Sequence, residues 1–303
     1  MEKVILTIDT EDTDLRIDKL LALNFGDYSR TAVQRLIDGG FVLVSGKKVK
    51  ASYKPDFGEN VEICFPDAEA PEINAENIPL DILYEDNDII VVNKPKGMVV
   101  HPACGHYTGT LVNALMYHCK DSLSGINGIM RPGIVHRIDK DTTGVLVACK
   151  NDFAHRSLAE QLKVHSITRK YTAIANGIFK DKSGRIETFL GRDPKDRKKM
   201  AVVKEGKNAI TNYTVLEELK DKYSYIECRL ETGRTHQIRV HMAYIGHPLL
   251  GDTVYGHEDK KFNLTGQTLH AKTLGFIHPT TGKYVEFEAK EPEYFLNLLK
   301  VLR

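Results

Sequence analysis

Gly133-Ile-Val-His136-Arg137-Ile-Asp139-Lys140-Asp141-Thr142-Thr143-Gly144-Val-Leu-Val147 is a polar segment that delivers an acid immediately before an apolar run. The run reads as a strand over residues 144–150, so Asp139 stands near a strand entrance, a rigid support suited to a catalytic side chain; taken alone, Asp139 or Asp141 fits an acid that simply starts a turn. Further strands follow on either side, at 88–94, 170–177, 212–217 and 224–231. In the last of these Ile226, Cys228 and Leu230 alternate with Glu227, Arg229 and Glu231, which predicts one buried and one polar face. Helices are expected at 153–165, capped by Asp152, and at 235–245, where Ile238, Met242 and Ile245 face inward and Gly246 is the stop. Strands outnumber helices and do not alternate regularly with them. The expected fold is therefore α+β, built on a mixed, largely antiparallel sheet.

Upstream, residues 66–78 hold prolines and acids without a sustained period and read as a linker. The expected organisation is a small N-terminal α/β domain over 1–65 and a larger domain over 79–303. In the small domain Asp14 is the expected cap of a helix carrying Ile17, Leu20 and Leu21. Ser29 is the expected cap of a second, with Val33, Leu36 and Ile37 inward, Arg30 and Arg35 outward, and Gly39-Gly40 as its end. A strand at 41–44, a turn over Ser45-Gly-Lys-Lys48 and a closing strand near 61–65 complete it. Between residues 28 and 54, Arg30, Arg35, Lys47, Lys48, Lys50 and Lys54 meet only Asp38. Charge alone fits a solvated face as well as a nucleic-acid surface.

The formal net charge of the 303-residue chain is +1, so any nucleic-acid-binding surface must come from local clusters. The five cysteines are widely spaced and lack a Cys-x-x-Cys pair, which argues against a disulfide framework and a zinc site. The acidic N-terminus lacks the pattern of a signal peptide, and the longest apolar runs are too short to span a bilayer. A cytoplasmic protein with no membrane partner is expected. No phosphate-binding loop, dinucleotide fingerprint, His-Glu-x-x-His or Gly-x-Ser-x-Gly occurs, so nucleotide hydrolysis, hydride transfer, zinc proteolysis and serine hydrolysis lose support.

Leu230-Glu-Thr-Gly233-Arg234-Thr235-His236-Gln237-Ile238-Arg239-Val240-His241 is the second chemically dense stretch. On a helix Arg239 lies about 100° from Ile238, off the apolar stripe, where it can reach a carboxylate while the helix stays docked; taken alone it fits an exposed helical arginine. His236 and His241 are five apart, a poor spacing for joint metal ligation, and read as structural. Residues 192–207 form a second basic segment, in which Arg192, Lys195, Arg197, Lys198, Lys199, Lys204 and Lys207 outnumber Asp193, Asp196 and Glu205.

Taken together, residues 78–295 resemble the RluA-type pseudouridine synthases. The resemblance rests on Val91-Val-Asn-Lys94-Pro95-Lys-Gly97-Met-Val-Val-His101-Pro102, on 136–144, on Arg169-Lys-Tyr171-Thr-Ala and on 230–241. Gly246-His-Pro-Leu-Leu-Gly-Asp252, Tyr255-Gly256, His270-Ala and Phe276-Ile-His-Pro279 continue the series. Ile138 and Thr143 are mild departures, standing where leucine and serine are common. Residues 12–65 are similar to the RNA-binding module of ribosomal protein S-four. That combination resembles the branch that modifies large-subunit ribosomal RNA.

The resemblance implies conversion of uridine to pseudouridine in structured RNA, preferably large-subunit ribosomal RNA over transfer RNA; no step of that chemistry requires a metal or a cofactor, and nothing in the sequence demands more than a monomer. It makes Asp139 the catalytic carboxylate, acting as nucleophile or as base, with Arg239 as its partner and Tyr171 stacked on the uracil. Arg137 is implied to steady the flipped-out nucleotide, with His136, Arg234 and Lys94 also among the substrate-binding residues. RNA contacts are expected from Arg30, Arg35, Lys47, Lys48 and Lys50, and from Arg197, Lys198 and Lys199. Two rivals are a non-catalytic RNA-binding or assembly factor, which has no chemical need for Asp139, Tyr171 and Arg239 together, and a nucleoside hydrolase, for which the basic segments are superfluous.

Overall fold

A computed structural model describes residues 2–26, 28–65, 73–102, 106–120, 122–128, 130–256 and 261–303. The chain divides into two compact units, Met1–Pro71 and Glu72–Arg303.

The smaller unit runs β1 (Glu2–Thr7), α1 (Ile17–Asn24), α2 (Arg30–Asp38), β2 (Val42–Val44), β3 (Lys47–Lys48) and β4 (Asn60–Phe65). Its four strands form an antiparallel sheet in the order β1-β4-β2-β3. Ile17, Leu20 and Leu21 of α1 and Val33 and Ile37 of α2 pack with Val42, Val44, Val61 and Ile63. Ser29 caps α2 by accepting the Ala32 N–H. Helix α1 departs from expectation: its cap position is Arg16, without a side-chain cap bond, and not Asp14. The acid that organises this region is Asp18, which is fully buried and accepts hydrogen bonds from Arg16, Arg30 and Gln34. Strand β1 escaped the sequence reading, because the acidic residues just beyond it hid a short alternating segment.

The larger unit runs β5 (Ile82–Glu85), β6 (Ile89–Lys94), α3 (Leu111–Cys119), β7 (Thr143–Cys149), α4 (Asp152–Lys163), β8 (Thr168–Asn176), β9 (Ser183–Arg192) and β10 (Met200–Val202). It continues with β11 (Lys207–Leu219), β12 (Tyr223–Leu230), α5 (Gln237–Tyr244), β13 (Leu269–Ile277), β14 (Tyr284–Glu288) and α6 (Glu293–Leu302). Its sheet is ordered β10-β9-β11-β12-β8-β13-β7-β6-β5, with β14 beside β13. Every pairing is antiparallel except β13 with β7. This is the mixed, mostly antiparallel α+β architecture that the strand count predicted.

The central strands are apolar on both sides because both faces are covered. In β6 and β7, Ile90, Val92, Leu146 and Ala148 join one core with α3 and α5, while Ile89, Val91, Val145, Val147 and Cys149 join another with α4. The cap of α4 is Asn151, which accepts the Ala154 N–H, and not Asp152. Asp152 sits inside the first turn and takes the Ser124 hydroxyl. The parallel contact of β7 with β13 demands a glycine: Gly144 has φ +111°, and a Cβ there would lie 2.1 Å from the Ala271 carbonyl oxygen. The polar segment before β7 therefore lands beside the middle of the sheet.

Candidate active site

The loop carrying Asp139 is held on three sides. His136 Nε2 accepts the Val147 N–H at 3.1 Å. Lys94 donates to the carbonyls of Pro95, Met98 and Lys140. Thr142 accepts from Gln267, and Thr143 bonds His270, whose other ring nitrogen meets the Ala289 carbonyl. That last contact makes His270 Nε2 the donor and leaves Nδ1 to accept from Thr143. A satisfied buried network of this kind fixes the backbone from which Asp139 projects.

Opposite stands the turn into α5. Gln237 is buried and spans it: its Oε1 accepts from Thr232 Oγ1 and Arg234 N, and its Nε2 donates to Ile210 O and Thr211 Oγ1. His236, just before the helix, is in the left-handed region at φ 55°. Strain of this kind persists only where surrounding bonds over-determine the backbone. The expected helix start at Thr235 is thus two residues early, since Thr235 and His236 belong to the turn.

Arg239 is buried and bridges two acids. Its Nη1 donates to Asp139 Oδ2 at 2.9 Å, while Nε and Nη2 clasp Asp252 at 2.7 and 3.0 Å. Asp252 also accepts the Val254 and Tyr255 N–H groups, and the Tyr255 ring lies 5.1 Å from the guanidinium carbon. Burial pushes the Asp252 carboxyl up, but the Arg239 hydrogen bond and charge outweigh it and hold the acid below its ordinary value. Burial opposes the Arg239 charge in the same way, and the two carboxylates raise it nonetheless. With Asp252 so committed, Arg239 presents a fixed donor to Asp139.

His236 reaches the same acid from another side. Its Nε2 lies 3.8 Å from Asp139 Oδ1, and its Nδ1 is 2.7 Å from the Tyr255 hydroxyl, which accepts the Met200 N–H. Burial lowers the His236 ring, Asp139 opposing it. His236, expected to be structural, thus lies beside the candidate catalytic acid. His241, by contrast, is fully buried between Thr188 and Thr211, as a structural histidine should be.

Tyr171 projects from β8 into the same cleft, which has a volume of about 340 Å³ and is lined also by His136, Arg137, Arg169 and Arg234. Burial raises the Tyr171 phenol, so it stays protonated at neutral pH. Arg137 is exposed at the rim, where its Nη1 donates to His101 Nε2 at 3.3 Å. The fold thus brings Asp139, Tyr171, Arg239, Arg137, His136 and Arg234 together. Lys94 is different: it is 1% exposed, outside the cleft lining, and its three donors are all spent on carbonyls. This corrects the expectation of a substrate contact for Lys94. Burial lowers its pKa to about 7, against the charges of Asp141 and Asp139.

Sequence reasoning missed Asp252 and Tyr255 as site residues and gave Arg169 no role. The signals were present in Gly251-Asp252 and Tyr255-Gly256, but nothing local tells that an acid beyond a helix folds back on an arginine within it. Of the basic residues, Arg35, Lys47, Lys48 and Lys50 are exposed in the smaller unit, whereas Arg30 is half exposed and spends its guanidinium on Asp18. In the larger unit Arg197 and Lys198 are exposed, and Lys199 is half-buried, 3.9 Å from Asp196.

The family model for RNA pseudouridylate synthases matches residues 88–244, and that of the S4 domain matches residues 15–61. An uncharacterised RNA pseudouridine synthase of Bacillus subtilis is 55% identical over 100% of this chain and 99% of its own. A ribosomal large subunit pseudouridine synthase D of Zymomonas mobilis is 46% identical, over 98% of this chain and 96% of its own. Among solved structures, human RNA pseudouridylate synthase domain containing 1 superposes with a TM-score of 0.59 at 27% identity, covering 72% of this chain and 86% of that one.

Proposed function

The chain belongs to the RNA pseudouridylate synthase family, and from that premise we propose that it isomerises particular uridines of large-subunit ribosomal RNA, as a cytoplasmic monomer, with Asp139 as the catalytic carboxylate. As a member of that family it is an isomerase acting on RNA, and it carries an RNA-binding S4 domain. Among the described residues no helix is long and apolar enough to cross a membrane. The preference for large-subunit RNA follows the name of its Zymomonas mobilis relative.

The observation that carries the assignment of Asp139 is its bond to Arg239, itself clasped by Asp252, in a cleft that also holds Tyr171. Isomerisation breaks the bond from uracil N1 to ribose C1′ and makes one from C5 to C1′; the C5 proton leaves and N1 gains one. The base must leave its stack to reach such a group. An ionised carboxylate beside the sugar serves either first step, attack on C1′ or removal of a neighbouring sugar proton. Arg239 orients Asp139 through a fixed donor without supplying or taking a proton. Tyr171 offers an aromatic face for the uracil and a protonated hydroxyl near the position that C5 must cross. Arg137, at the rim, is placed to steady the nucleotide outside its stack.

Tritium release tests the reading directly. RNA labelled at uracil C5 is prepared from cells lacking this protein, and wild type is compared with Asp139→Asn. Release from large-subunit ribosomal RNA by wild type alone is the expected result. Release from transfer RNA only overturns the substrate; equal release by Asp139→Asn overturns the role of that carboxylate.

A further inference from the structure

Arg169 is a buried cation without an acid. It is 7% exposed, its Nη2 donates to the Glu231 main-chain carbonyl at 3.1 Å, and its Nε has no hydrogen-bond partner. Among the described residues it makes no ion pair. The Glu231 carboxylate faces Asn212 and Arg185, and Asp139, the only acid among the described residues lining the cleft, is already bonded to Arg239. Arg234, which also lines the cleft, donates Nε to the Asn208 carbonyl and, among the described residues, makes no ion pair either. Burying an unpaired charge is costly, and such a group is expected to be paired or to have a role outside the fold's own stability.

A Cβ on Gly233 would lie 2.5 Å from Arg169 Nη1, so the end of the arginine lies beside that glycine in the wall of the cleft. Arg169 and Tyr171 are two apart on β8 and therefore share a face, about 7 Å apart along the strand. That is comparable with the span from a nucleotide's base to its backbone phosphate.

We propose that Arg169, seated on Gly233 and flanked by Arg234, binds a backbone phosphate of the RNA at the nucleotide whose base enters the cleft beside Tyr171. The proposal rests on the RNA-modifying function of the cleft. A phosphate supplies the missing counter-charge, and arginine, always protonated and fork-shaped, suits it. The interaction fixes the nucleotide at its backbone while the base remains free to turn during isomerisation, which a clamp on the uracil would hinder.

The test measures binding of transcribed large-subunit ribosomal RNA as a function of salt, alongside thermal unfolding and tritium release. Arg169→Gln is compared with Arg169→Lys and with Arg303→Gln, a surface arginine held by Glu217. Loss of one phosphate contact should make the log–log salt dependence shallower by about 0.7–0.9. For Arg169→Gln the expected result is that change, with weaker binding at low salt, a raised KM in tritium release and a melting temperature no lower than wild type. Arg169→Lys should restore the salt slope in part, and Arg303→Gln should leave it unchanged. A melting temperature that falls steeply while the salt slope stays at the wild-type value would make Arg169 structural and overturn the proposal. So would a stable Arg169→Gln protein with wild-type slope and KM. If wild type binds RNA with the expected slope difference yet releases no tritium, the phosphate site stands and the catalytic reading fails.

Discussion

Asp252→Asn tests whether Asp139 is positioned from behind. The substitution keeps the size of the side chain but removes a buried charge that makes two hydrogen bonds to Arg239 and accepts two backbone N–H groups. Breaking one side of a buried ion pair costs about 3–5 kcal/mol. The retained amide oxygen argues for the lower end, and about 3 kcal/mol corresponds to a melting shift of roughly 6–12 °C for a unit of this size. Arg239 would keep only Asp139 as an acid partner and would shift toward it. A displacement of about 1 Å at such a contact lowers turnover on the order of 100-fold. Calorimetry of the larger unit and single-turnover tritium release, with kcat and KM separated, read the two effects. A melting temperature within 2–3 °C of wild type (about 1 kcal/mol) together with an unchanged kcat would refute the reasoning. The acid limb provides a second check. Asp252 is held below its ordinary value in the folded state, so its contribution is present above the unfolded carboxylate pKa, about 3.9, and is lost as pH falls through the lower folded value. Asp252→Asn should lack that component of acid destabilisation.

Four further outcomes are expected. Tyr255→Phe removes the hydroxyl shared by His236 and Met200, and should lower kcat with little change in RNA affinity; a fall in affinity alone would argue against its role in holding His236. Gly144→Ala should abolish soluble expression or lower the melting temperature severely, because its Cβ would meet Ala271 at the β7–β13 contact, and a near-wild-type melting curve would contradict that geometry. Replacing Arg197, Lys198 and Lys199 together by serine should flatten the salt dependence of RNA binding, and unchanged affinity in a salt titration would remove this loop from the interface. Asp18→Asn should destabilise the smaller unit by weakening the bonds from Arg16, Arg30 and Gln34, visible as faster hydrogen exchange in α1 and α2; wild-type exchange would refute it.

The parts of the site legible in the sequence were those whose meaning is local. Asp139 lies in a polar segment directly before an apolar strand, and Arg239 lies off the apolar stripe of a short helix; taken alone they fit a turn acid and an exposed arginine, and the motif series of the family resemblance gives each its role. The caps were misplaced by a residue or more, to Asp14 and Asp152 in place of Arg16 and Asn151, because several adjacent polar residues satisfy the same local preference. His236 was read as structural because histidine spacing addresses metal ligation and is silent on a turn that aims one ring at a distant carboxylate. Lys94 is implied as a substrate contact by the family resemblance of its motif, whereas its ammonium is consumed by three carbonyls.

By itself the sequence determined the α+β class, the strands flanking the site, and the residue types that the chemistry requires, since periodicity and motif spacing are properties of the chain. Only the tertiary structure decided that Arg239 is shared between Asp139 and Asp252, that Tyr255 ties His236 to Met200, and that Arg169 lies buried without an acid. Those relations join residues on different elements, and partnership between charges depends on distance and burial, neither of which is written in the order of residues.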